Sequence, residues 1–103
     1  AIDIVCDKNS AFIIKNGHPI MSKITGTGCM LTCLIAAFVS ANKDDMLAST
    51  AAAVCDMGLS GEIAYNITTK NSGGTSSFRT YLIDAISNMD AKTLNGGSKI
   101  ETR

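Results

Sequence analysis

The stretch "SKITGTGCMLTCLIAAF", residues 22–38, decides how this chain is read. Two threonines and two glycines, Thr25, Gly26, Thr27 and Gly28, run directly into an apolar segment, with Cys29 at the join. Downstream, Met30, Leu31, Leu34, Ile35, Phe38 and Val39 recur at helical spacing and predict one broad apolar face. A flexible loop of small residues therefore opens onto a helix.

The first turn of a helix carries backbone N–H groups that have no partner inside the helix. The helix dipole adds partial positive charge there. Glycines at 26 and 28 let the backbone come close to a ligand, so the segment from Thr25 to Cys29 has the makings of an anion hole suited to phosphate, with the Thr25 and Thr27 hydroxyls as further donors. A plain structural turn satisfies the same pattern. No GK[ST] follows, which excludes a Walker A loop, and the third glycine of a dinucleotide fingerprint is missing. A thiol at a helix start has its thiolate stabilised by the dipole, so Cys29 can serve as nucleophile, weak base or hydrogen-bonding group. The alternative for Cys29 is a small buried apolar side chain, which is also the reading for Cys6, Cys33 and Cys55.

Working outward, "AIDIVCD" and "SAFIIKN" are two short β-rich runs separated by polar residues, and they predict an antiparallel hairpin with Ile4, Val5, Phe12, Ile13 and Ile14 partly in the core. "GHPIM" is a connector leading to an extended piece through Ile24, with Pro19 biasing His18 toward extended backbone. His18 is read either as a structural hydrogen-bonding group or as a contact in the site. After the first helix, Asp44 is the expected cap of a second that runs from Met46 into "AYNITT". Gly58 and Gly61 inside it predict close approach by another element. Ser76 or Ser77 is expected to cap a third helix with a stripe of Phe78, Leu82, Ile83, Ile86 and Met89, Phe78 being core. "LNGGSKIETR" is expected to turn and end as a polar tail.

The 103 residues suffice for one small domain. Nine Lys plus Arg balance nine Asp plus Glu without a basic stripe, which argues against a nucleic-acid binder. The apolar run from Cys29 to Ala41 is about 13 residues, short of the ~20 needed to span a bilayer, so no membrane role is expected. Four cysteines, no CxxC pair and a single His argue against zinc, and no metal site is expected within this chain. Reduced thiols place the protein in the cytoplasm.

The combination "DIVCD", "NGHPIM", "TGTGCML", "STAAAV" and "GGTSSFR", in that order over nearly the whole chain, closely resembles the C-terminal region of hydroxyethylthiazole kinases, which belong to the ribokinase-like superfamily. The resemblance implies an α/β fold of which residues 1–103 are the C-terminal portion of a single kinase domain: a β-hairpin followed by about three helices. It implies phosphorylation of 4-methyl-5-(2-hydroxyethyl)thiazole by ATP with Mg²⁺, in a cytoplasmic homotrimer of thiamin salvage. By analogy Thr25, Gly26, Thr27 and Gly28 form the anion hole, Gly26 also contacts the substrate, and Cys29 takes the catalytic place that aspartate holds in most ribokinase-like enzymes. "GGTSSF" departs from the family's "GPGSF": Thr75 stands for the proline and Ser76 for the second glycine.

Family members are well over twice this length. The expectation is therefore that an N-terminal partner segment supplies most of the sheet, much of the thiazole pocket and the Mg²⁺ ligands. The chain alone is expected to be inactive, marginally stable and prone to association. Two other readings compete: a non-enzymatic helical interaction module, and a related vitamin kinase of the hydroxymethylpyrimidine or pyridoxal type. The second is disfavoured by cysteine at 29, where those enzymes carry aspartate.

Overall fold

A computed structural model describes residues 2–103. Strands β1 (Asp3–Cys6) and β2 (Ala11–Ile14) form the expected antiparallel hairpin, pairing Ile4 with Ile13 and Val5 with Phe12. Asp7 closes the turn: its Oδ1 accepts from the Asn9 and Ser10 amides at 2.7 and 2.8 Å, and those two bonds hold its carboxyl below the usual carboxylate range. The tail is not irregular. Asp90 caps a short helix, and the last residues return as a third strand against β2, pairing Ile13 with Glu101 and Ile14 with Ile100. Seven residues ending in two glycines, then a strand of three, are too short for periodicity to reveal.

From β2 the chain enters a 3-10 helix, Pro19–Lys23, which takes up the end of the expected connector and most of the extended piece expected after it. Pro19 presets its first φ, and the Ser22 hydroxyl donates to Pro19 O at 2.8 Å. Gly26, at φ 94°, turns the chain into α1 (Thr27–Ala41), two residues before the apolar run begins. Helix α2 (Met46–Lys70) is capped by Asp45 rather than Asp44: Asp45 Oδ1 accepts from the Ala48 amide at 3.0 Å. Helix α3 (Thr75–Asn88) starts at Gly74 with no side-chain cap, so neither Ser76 nor Ser77 plays that part. Helix α4 (Ala91–Gly97) and β3 (Ile100–Thr102) complete the fold, with sheet order β1-β2-β3.

The middle of α2 is buried all round because it is the hub of two cores. One side packs Ala51, Val54 and Cys55 against Ile14 of the sheet, with Val5, Phe12 and Ile35 around them. The other packs Met57 and Ala64 against Phe78 and Leu82 of α3, with Met30 and Leu34 of α1. Phe78 is fully buried, as expected, whereas Ile83 falls off the stripe and is exposed. Both internal glycines of α2 serve close approach. A Cβ on Gly58 would lie 2.7 Å from the carbonyl carbon and oxygen of Asn16, and one on Gly61 would collide with the Met21 thioether.

Asn16 fastens these parts together. Its Nδ2 donates to Glu62 Oε2 at 2.7 Å and to Gly97 O at 3.0 Å, while its Oδ1 accepts from the Lys99 amide at 2.7 Å and from Cys55 Sγ at 3.3 Å. One buried side chain thus joins β2 to α2, α4 and the entry of β3.

Candidate active site at the head of the first helix

Gly26 occupies the left-handed region, which side chains rarely tolerate, and so aims the chain abruptly into α1. The first helical amide with a protein partner is that of Met30, which donates to Gly26 O at 3.0 Å. Among the described residues, the N–H groups of Thr27, Gly28 and Cys29 donate to nothing, and no side chain caps the helix. Three adjacent donors are thus presented at the positive end of a helix of 15 residues.

These donors stand between two hollows. A cavity of about 430 Å³ has Thr27 and Gly28 in its wall, together with Asp3, Lys15, Gly17, His18 and Ser22. Cys29 lies instead in the wall of an apolar groove of about 470 Å³, with Cys33, Leu34, Ala37, Ile83 and Ile86. The thiol is exposed. Thr25 and Gly26 are exposed and line neither hollow. Cys6 and Cys33 are also exposed, contrary to the buried reading, because Cys6 ends an edge strand and Cys33 lies on the face of α1 opposite its apolar stripe; only Cys55 is buried.

His18 is extended and caps the 3-10 helix, its Nδ1 accepting from the Ile20 amide at 3.2 Å. Its ring lies flat on Tyr65 of α2, with centroids 3.6 Å apart and planes 18° from parallel. The structure thus brings His18, Thr27 and Gly28 to one cavity. Tyr65 escaped sequence reasoning, because no local pattern couples α2 to a connector so far upstream. Asp56, on α2, is 3 % exposed and accepts from Ser60 Oγ at 3.0 Å, outside both hollows.

Among the described residues no three His, Cys, Asp or Glu side chains gather where a metal ion could sit. Nor is any described helix long and apolar enough to cross a membrane.

The sequence model of the hydroxyethylthiazole kinase family matches residues 1–92. The chain belongs to the hydroxyethylthiazole kinase family. The kinase of this name from Clostridium acetobutylicum is 48 % identical over 102 residues, covering 99 % of this chain and 37 % of that protein. Hydroxyethylthiazole kinase 2 of Methanosphaera stadtmanae is 45 % identical over 94 residues, covering 91 % of this chain and 33 % of that protein. The solved hydroxyethylthiazole kinase protein of Pyrococcus horikoshii superposes with a TM-score of 0.89 at 29 % identity, over 100 % of this chain and 38 % of that one. The chain therefore spans between 33 and 38 % of the length of these hydroxyethylthiazole kinases, and the α/β architecture is theirs in part.

Proposed function

We propose that this chain is the C-terminal, phosphoryl-holding portion of a kinase that transfers the γ-phosphoryl group of ATP to the hydroxyl of 4-methyl-5-(2-hydroxyethyl)thiazole. One observation carries the reading: three unpartnered amides, at Thr27, Gly28 and Cys29, open between two hollows in a member of the hydroxyethylthiazole kinase family. The hydroxyl oxygen bonds to phosphorus as the bond to the β-phosphate bridge breaks, and ADP leaves. The amides meet the charge that spreads over the phosphoryl oxygens, a task of positioning and electrostatics. Gly26 sets their direction through its backbone, and Thr25 and Thr27 offer hydroxyls at the same turn. Cys29, on the apolar side, is the base for the hydroxyl proton, which passes from there to solvent. The apolar groove beside it suits a thiazole ring, and the cavity on the other side, with Thr27, Gly28 and Lys15 among mostly apolar lining residues, is left for the phosphates. Mg²⁺, when bound, neutralises phosphate charge, and its ligands come from the remainder of the kinase fold.

The test is a chimera in which this chain replaces the matching segment of the Clostridium acetobutylicum enzyme. ATP-dependent phosphorylation of the thiazole alcohol, in preference to hydroxymethylpyrimidine or pyridoxal, is the expected result. A folded chimera that phosphorylates only one of the other alcohols, or none, overturns the reading.

A further inference from the structure

His18 and Tyr65 form a device that the anion-hole reading does not use. Three constraints act on the imidazole. Its Nδ1 is engaged as an acceptor from the Ile20 amide, which fixes the proton of the neutral ring on Nε2. Its face is covered by the Tyr65 ring at 3.6 Å, which fixes the plane. Its backbone is held between Gly17, at φ 131°, and Pro19. What is left is one donor, Nε2–H, without a partner among the described side-chain bonds, on a ring in the wall of the cavity that holds Thr27 and Gly28. This N–H and the unpartnered amides of Thr27 and Gly28 belong to residues that line the same cavity.

We propose that the Nε2–H of His18 is a further donor to the oxygens of the phosphoryl group in flight, and that Tyr65 is a positioning residue that holds the imidazole in the plane this requires. The inference rests on the kinase reading above and extends its donor set beyond the α1 amides. A donor that matters as charge builds on phosphoryl oxygens acts on kcat and leaves the affinity for the acceptor alcohol alone.

The experiment uses the chimera. His18→Asn keeps a side-chain acceptor for the Ile20 amide but removes the remote N–H. It is expected to lower kcat by ~10- to 100-fold with the KM for the alcohol unchanged. Tyr65→Leu is expected to lose a comparable share of kcat, and Tyr65→Phe, which restores a ring under the imidazole, to recover it. In the chimera the imidazole resonances of His18 are assigned by their loss in His18→Asn. They are expected to report the Nε2–H tautomer, with ring protons shifted upfield by Tyr65 and released in Tyr65→Leu. Unchanged kcat in both His18→Asn and Tyr65→Leu overturns the inference and leaves the thiazole reading intact. So does a proton on Nδ1. If His18→Asn does not fold, the Tyr65→Leu and Tyr65→Phe pair decides. A wild-type chimera that phosphorylates another alcohol overturns the thiazole reading, while the same kcat ratios still judge His18.

Discussion

Cys29 sits where α1 begins, with its sulfur exposed on the apolar side of three open amides. On the proposed kinase reading, a loose phosphoryl-transfer transition state asks little of a base, and more is expected of the amides than of the thiol. Cys29→Ala is expected to retain activity in the chimera at ~10-fold lower kcat, below the usual span for general-base loss, and Cys29→Asp to keep most of it. Steady-state kinetics with the thiazole alcohol check both, and full activity in Cys29→Ala removes the thiol from the mechanism. Asp56 offers a test of stability. Burial holds its carboxyl above the usual carboxylate range, offset in part by the Ser60 hydroxyl. The fold therefore favours the protonated acid. That contribution is complete below the ordinary carboxylate pKa and is lost as pH rises through the raised native value. Asp56→Asn, neutral at every pH, is expected to raise the melting temperature at pH 7 by a few degrees, with the gain closing as pH falls from the raised native value toward about 4. Thermal melts across that range decide it, and an equal gain at every pH would count against the account.

Among the elements, α2 carries the architecture, and the seam between it and the end of β2 is where the site is positioned. Gly58 allows the Asn16 backbone to touch the helix, and Asn16 then answers four polar groups. The connector that carries His18 starts at that seam. Asn16→Ala strands the Lys99 amide and the Gly97 carbonyl and is expected to cost about 2–3 kcal/mol. Gly58→Ala must push against main-chain atoms that cannot rotate aside, at a cost of about 1–3 kcal/mol. Urea unfolding measures both. A Gly58→Ala protein as stable as wild type would mean that the two backbones are not in contact.

Taken whole, the molecule leaves one side of its sheet uncovered. Among the described residues β1 has β2 on one flank only, and Ile2 and Ile4 are 59 % and 66 % exposed. A free strand edge beside exposed aliphatic side chains is a template for association. The apolar groove along α1 and α3 adds to it. We expect the 103-residue chain alone to associate in a concentration-dependent way on size exclusion, and the chimera to run as a defined species. A sharply melting monomer at all concentrations would instead favour the interaction-module reading.

Local chemistry was enough to mark the hairpin, the three long helices, the glycine turn that opens the first of them and the close approaches at Gly58 and Gly61, since each rests on a few adjacent residues or on one period. Phe78 was legible as core because its stripe is regular. The 3-10 helix, α4 and β3 were not: each is short, and unlike the two hairpin strands none has an adjacent β-rich run in sequence to pair with and reveal it. Exposure of Cys6 and Cys33 depends on which face a neighbour covers, and no window of sequence contains the neighbour. The same holds for the two hollows on either side of α1 and for the Tyr65 ring beneath His18. They come from packing α2 against segments distant in the chain, and only the folded backbone brings those atoms within van der Waals reach.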